Sequence, residues 1–261
     1  MPNDILDETF DTYSVPIVAL VVEGPTDGAY LYEPLEAYFR EKYGSTCKIA
    51  KIKDVTSDPN VLDTEFVDEL KKRIQDELSD SKNKIDYNVA AMIKEVVHIV
   101  DVDEAFIDDH LINEDPSKNE FFYTRTGILF REINSVKLRN NRKANRIRTL
   151  VGMKKITIFD REMPYSIYFF SVNIDDFHND DSLNLSDDDK ALKAAQFRRK
   201  YLVKETRSGK IKMFLKLCEK VNPDDFPDTF EGTWDYIQKD NNCLKRCSNT
   251  MLILGEKKKT E

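Results

Sequence analysis

Val15-Pro-Ile-Val-Ala-Leu-Val-Val22, followed at once by Glu23-Gly24-Pro25-Thr26-Asp27, is the stretch that decides the fold. The first half is a continuous apolar, β-branched run without alternation, which predicts a strand covered on both faces, as in a parallel sheet. Gly24 and Pro25 break it, and Thr26 or Asp27 can cap a helix in which Ala29, Tyr30, Leu31, Leu35, Tyr38 and Phe39 recur at helical spacing up to a stop at Gly44. Working outward, Cys47 to Ile52 reads as a second short strand. Val61 to Leu78 reads as an amphipathic helix, with Leu62, Phe66, Leu70, Ile74 and Leu78 every four residues. Val96-Val-His-Ile-Val100 is a third buried strand that runs into Asp101-Val102-Asp103. Strands alternating with helices imply βαβ units and an α/β fold with a central, mostly parallel sheet flanked by helices.

Beyond Asp103 the pattern predicts a largely helical stretch over 104–153. Lys154 to Phe159 and Tyr165 to Val172 are further strands separated by a turn at Arg161 to Pro164, and Asp175 to Asp189 is an acidic loop. Helical patterns resume from Asp189 to Val221, and a Pro- and Asp-rich break covers Asn222 to Asp228. The expected organisation is therefore a domain over 1–180, with a basic helical insertion at about 104–153, and a mainly helical C-terminal extension over 181–261 packed on it. No internal repeat is visible.

The chain has 261 residues, 40 Lys or Arg and 48 Asp or Glu, for a net charge of −8. That average argues against a protein that coats nucleic acid, yet it hides an asymmetry. Residues 1–117 hold 27 acidic and 11 basic side chains, 118–155 hold 2 and 11, and 156–261 hold 19 and 18. A second basic run, Lys190 to Lys220, carries 11 Lys or Arg against Glu205 and Glu219. Two basic segments thus sit in an acidic body; as solvated helix faces they would be unremarked, but here they flank carboxylates. The longest apolar run, Ile17 to Val22, is far too short for a membrane span, and the N-terminus lacks a signal-peptide pattern, so a cytoplasmic protein without membrane contact is expected. Cys47, Cys218, Cys243 and Cys247 are too few and too irregular for a disulfide framework and read as reduced thiols.

Ligands of an open parallel sheet lie beyond the carboxyl ends of its strands. Glu23 follows the first strand and Asp101 with Asp103 ends the third, and the period of two sends Asp101 and Asp103 to the same side. Hard oxygen donors so clustered suit Mg²⁺ or Mn²⁺.

Val21-Val22-Glu23-Gly24-Pro25-Thr26-Asp27 with Ile99-Val100-Asp101-Val102-Asp103 resembles the Toprim domain, whose signature is a strand-end glutamate and a downstream Asp-x-Asp. The Val-Glu-Gly-x-Thr-Asp form is most similar to the overcoming-lysogenization-defect nucleases and to stand-alone Toprim proteins of bacterial phage-defence and abortive-infection systems. The likeness covers roughly residues 15–175. It implies a Toprim-like sheet and a metal-dependent phosphoryl-transfer site. Glu23 would be a metal ligand or general base, and Asp101 and Asp103 would hold Mg²⁺ against the scissile phosphate. Asp27 would orient a water or a basic partner, although capping accounts for it equally well. Nuclease members add carboxylates after the fourth strand, a role for which Asp175 and Asp176 are the candidates. The chain has no Gly-x-x-x-x-Gly-Lys-Ser/Thr loop, so an ATPase, if one drives the protein, is a separate partner chain.

Phosphates near such carboxylates need cations. Arg139, Arg142, Lys143, Arg146 and Arg148 recur at three- and four-residue spacings that place most of them on one helical face, with Arg198, Arg199, Lys245 and Arg246 as further phosphate contacts. Phe121, Phe122 and Tyr123 either stack on exposed bases or belong to the core. His98 reads as a packed histidine. His178 is either a solvated loop residue or a proton donor or metal ligand. The resulting expectation is an Mg²⁺-dependent endonuclease acting on RNA or DNA in an anti-phage defence system, with a second copy of the chain and an ATPase as candidate partners. The rival is a catalytically silent Toprim-like binding or regulatory subunit that acts with that ATPase, and the third reading is a structural α/β protein with solvated acidic clusters.

Overall fold

The computed structural model describes residues 15–24, 26–80, 89–178 and 183–255. The boundary expected at 180/181 lies outside them. The opening run forms β1 (Ile17–Val22), and every one of its residues is buried. Its period of two sorts them between two cores, with Ile17, Ala19 and Val21 in one and Val18, Leu20 and Val22 in the other. Each fully buried Val, Leu or Ile stabilises the fold by roughly 1.5–3 kcal/mol, so β1 anchors both faces of the sheet.

The elements after β1 run in the expected order. They are α1 (Asp27–Tyr43), β2 (Lys48–Lys53), α2 (Phe66–Asp80), which starts five residues later than the Val61 expected, and β3 (Ile93–Asp101), with the single turn α3 (Val89–Met92) as an addition before it. Gly44 ends α1 at φ +101°, a backbone state that favours glycine. Residues 104–130 are not the helix that the sequence suggested. They form β4 (Ile112–Glu114), β5 (Phe122–Thr124) and β6 (Gly127–Phe130), a small sheet of order β4-β6-β5. A side chain at Gly127 (φ +138°) would collide with the Leu111 carbonyl, so the turn into β6 requires glycine. Apart from one 3-10 turn at Asp109–Leu111, the helix in this stretch is α4 (Ile133–Gly152).

β7 (Lys155–Ile158) and β8 (Arg161–Phe170) follow as an antiparallel hairpin. The turn is Phe159-Asp160, both at left-handed φ (48° and 60°), and not Arg161 to Pro164. Pro164 is tolerated inside β8 because it pairs with Lys155 of β7, while pairing of β8 with β3 begins only at Tyr165. Among the described residues the main sheet has the order β2-β1-β3-β8-β7, parallel except for β7.

The helices α5 (Ile174–His178), α6 (Asp187–Phe197), α7 (Arg207–Val221) and α8 (Phe230–Ile237) complete the chain. Two of them fall where an acidic loop was expected, since Asp175 and Asp176 lie on α5, and Asp187 to Asp189 open α6 behind the Ser186 cap. One face of the sheet packs on α2, α4 and α8 through Leu70, Ile74, Ile147 and Trp234. The other packs on α1, α6 and α7 through Leu31, Leu35, Phe197 and Phe214. The C-terminal stretch is joined to β8 by a bridge between Phe170 and Ser248 and by Trp234, whose ring lies 4.7 Å from that of Phe169. No helix among the described residues is long and apolar enough to cross a membrane.

Candidate functional site

From β1 the chain turns to β2 on one side, and β3 is laid on the other, so the carboxyl ends of β1 and β3 flank a topological switch point. A cavity of about 950 Å³ opens there, and Glu23, Asp27, Asp101, Asp103 and Asp175 all line it. β1 delivers Glu23, β3 delivers Asp101, and the start of α1 delivers Asp27. The Asp27 side chain does not cap its own helix but accepts a hydrogen bond from the Gly24 amide (2.6 Å), which fixes the turn after Glu23.

Asp103 is not placed by strand alternation with Asp101, as the sequence suggests, because β3 ends at Asp101 and Asp103 lies in a turn of unusual backbone. It and Glu104 are both left-handed (φ 50° and 57°), a state costing non-glycine residues about 1 kcal/mol or more each. Arg139 of α4 clamps this turn, donating to the Asp103 carbonyl (2.8 Å) and pairing with its carboxylate (2.9 Å). Between Glu23 and Asp103 lies Lys143, one turn further along α4, with its Nζ 3.0 Å from Glu23 Oε2 and also bonded to Asp103 Oδ2. Its side chain is 1% exposed.

The carboxylates divide by their surroundings. Burial acts to raise the Asp103 pKa, but Lys143 and Arg139 more than offset it and hold the group below the usual range. Burial raises Glu23, with Lys143 opposing and Asp103 adding to the shift. Asp101 is pushed well above the usual range, first by burial and then by the negative charges of Asp27, Glu23 and Asp103. Asp27 is raised to about 7, chiefly by burial.

Several expected residues are placed elsewhere. Asp176 does not reach the cavity; it is buried against Arg125, which pairs with both of its oxygens at 2.8 and 2.6 Å. Asp175 does line the cavity and accepts from the Tyr30 hydroxyl (3.1 Å). The basic face of α4 is corrected most strongly. Arg146 is buried and donates to the carbonyls of Val55, Thr56, Asp58 and Val61 and to Asp63, so it secures the loop between β2 and α2 and has no donor facing a phosphate. Lys143 and Arg139 likewise point inward, to carboxylates. Burying such charges is tolerated only because every one meets an acceptor.

Arg142 is half-buried, and Arg148 is exposed with its guanidinium on Gln238 (3.0 Å). Arg198 pairs with Glu33 (2.5 Å), Arg199 is exposed, Lys245 bonds the Tyr236 hydroxyl (3.1 Å) and Arg246 the Phe177 carbonyl (3.0 Å). None of these six lines the cavity. The positive charges that do are Lys118 and Lys190, which were passed over as single members of charge runs.

His98 is the packed histidine expected, bonded to the Tyr165 hydroxyl (2.7 Å) and to Asp54 (2.8 Å). His178 is not solvated; it is stacked on Tyr30 in the second core (4.4 Å between centroids). All four cysteines are buried and free.

The donor set fits a hard divalent cation in chemical type. It is all carboxylate, Asp101 has no side-chain partner among the described residues, and its mutual repulsion with its neighbours is what such a cation relieves. No three His, Cys, Asp or Glu side chains among the described residues are gathered closely enough to hold one, and Lys143 is paired with both Glu23 and Asp103. Comparisons with protein-family models, curated proteins and solved structures found no match to the chain.

Proposed function

We propose that this chain is an Mg²⁺- or Mn²⁺-dependent Toprim-type endonuclease that hydrolyses phosphodiester bonds in RNA or DNA, as an effector of bacterial anti-phage defence. The observation that carries the reading is that Glu23, Asp101 and Asp103, at or just past the carboxyl ends of two adjacent parallel strands, line one cavity at the switch point of the sheet. Glu23, Asp101 and Asp103 would hold the metal, which when bound polarises the phosphate and lowers the pKa of an attacking water. The protein's own part is to place these oxygens: β1 and β3 fix Glu23 and Asp101, and Arg139 fixes the Asp103 turn. Asp27 holds the Gly24 amide and so the approach to Glu23.

The ion pair of Lys143 with Glu23 and Asp103 favours a second reading, a silent Toprim-like subunit whose site is already neutralised and which acts with a partner ATPase. The two are separated by incubating the purified chain with end-labelled RNA and DNA, with and without Mg²⁺ or Mn²⁺. Metal-dependent cutting that is lost in Glu23→Ala supports the nuclease. Cutting in EDTA, or by Glu23→Ala, overturns it. No cutting, with stable co-purification of an ATPase, supports the silent subunit.

A further inference from the structure

Three consecutive aromatic residues, Phe121-Phe122-Tyr123, enter β5, where alternation must send the middle one to the opposite side from its neighbours. Phe121 packs edge-on against Phe130 (centroids 4.8 Å apart). The Tyr123 hydroxyl accepts from Arg139 (2.8 Å), and both rings join the first core. Phe122 belongs to neither core and is only half-buried. Among the described residues its ring has no aromatic neighbour, and the Lys118 ammonium lies over it at 3.9 Å from the centroid.

Residues 121 to 123 all border the cavity that Glu23, Asp101 and Asp103 line, and of their three rings only that of Phe122 is not packed into a core. Its strand is held from outside by Asn184, whose amide pairs with both backbone groups of Tyr123 (2.8 and 2.7 Å) and so closes that edge of β5. Phe122 thus presents a half-buried apolar ring, with a cation beside it, at the wall of a polar cavity. A nucleobase, uncharged and flat, can lie on it without meeting the repulsion that the carboxylates exert on phosphates. Lys118 and Lys190 supply positive charge to the same cavity for the backbone on either side. Aromatic rings interleaved with cations are how single strands are held, whereas in a duplex the faces of the bases are already stacked.

We propose that Phe122 is the stacking platform for one unpaired nucleobase and Lys118 the contact to a neighbouring phosphate, so that the substrate is an extended single strand of RNA or DNA. This rests on the nuclease reading for its choice of ligand, but its test is a binding measurement. The full chain carrying Asp101→Asn is titrated into fluorescein-labelled single-stranded 12-mers of RNA and DNA and into hairpin duplexes of matching sequence, with anisotropy as the readout. Phe122→Ala, Phe122→Leu and Phe122→Trp are compared in that background, and thermal melting confirms that each is folded.

The expected result is tighter binding of single strands than of hairpins. Alanine and leucine should each weaken single-strand binding about tenfold, and tryptophan should retain it with quenching of the new indole by the bound strand. Unchanged single-strand affinity in Phe122→Ala, full affinity in Phe122→Leu, hairpins bound as well as single strands, or no binding of single strands would each overturn the proposal. Single-strand binding that depends on Phe122 in a chain that cuts nothing would remove the nuclease reading and leave this one standing. Metal-dependent cutting of duplexes that is indifferent to Phe122 would do the reverse.

Discussion

Lys143 Nζ lies 3.0 Å from Glu23 Oε2 while also bonding Asp103, so one buried ammonium is the counter-charge of two candidate metal ligands. Removing one partner of such an arrangement leaves the others buried and uncompensated. Lys143→Met, which keeps the apolar stem, should therefore lose about 3 kcal/mol of stability in EDTA, the lower end for a broken buried pair because the Glu23 side chain is 25% exposed. Millimolar Mg²⁺ should restore part of the loss by taking over the neutralisation. Urea denaturation with and without metal measures both effects. A side chain serving only to contact phosphate would leave the urea midpoint unmoved.

Asp101 is in the opposite position, since among the described residues no side chain pairs with it, and Asp27, Glu23 and Asp103 all repel its charge. Asp101→Asn should raise stability in EDTA by about 1 kcal/mol, as relief of a strained site commonly does. The same variant should lose metal-dependent cutting and most of the stabilisation that Mg²⁺ gives the unaltered chain. Thermal melts in EDTA and Mg²⁺, run beside the cleavage assay, test the pairing of gain and loss.

The chemistry that could be read from residue order alone was the chemistry fixed by the backbone. Glu23, Asp101 and Asp103 could be placed because an unbroken apolar strand has only one carboxyl end, and adjacent parallel strands bring those ends together. The short sheet of β4, β5 and β6 was illegible because its strands have three or four residues, too few to show a period. The role of α4 was misread for a different reason. Arg139, Lys143 and Arg146 have the spacing of a solvated basic face, and what turns them inward is the presence of Asp103, Glu23 and the carbonyls of the loop after β2, all distant in sequence. Spacing reports that charges share a face; only the fold reports what that face meets.

Arg146 makes that difference measurable. Its guanidinium gathers the carbonyls of Val55, Thr56, Asp58 and Val61, four acceptors that no shorter or less branched cation can reach together. Arg146→Lys should cost about 2 kcal/mol and raise amide exchange across residues 55–63. Its effect on nucleic-acid binding at fixed temperature should be small. Hydrogen exchange followed by mass spectrometry gives the location, and loss of binding without faster exchange would return Arg146 to the surface role.

His178 carries a pH dependence whose sign follows from its burial. Its ring is stacked on Tyr30, neither nitrogen has a hydrogen-bond partner among the described residues, and burial, with a smaller contribution from Arg246, lowers its pKa to about 3. Unfolded, the same imidazole takes up its proton near pH 6.5. Above that pH both states are neutral and His178 contributes no pH dependence. Between about 6.5 and 3 the unfolded chain binds the extra proton, so stability falls as pH falls, by up to about 1.4 kcal/mol per unit. His178→Phe keeps a ring among Tyr30, Phe177 and Phe197 and removes the titration. The stability difference between this variant and the unaltered chain should then shift by about 1.6 kcal/mol in favour of the variant between pH 6.5 and 5. Urea midpoints at the two pH values give that difference, and a constant gap would mean that the folded chain protonates His178 as readily as the unfolded one, which a ring without partners in an apolar stack cannot do.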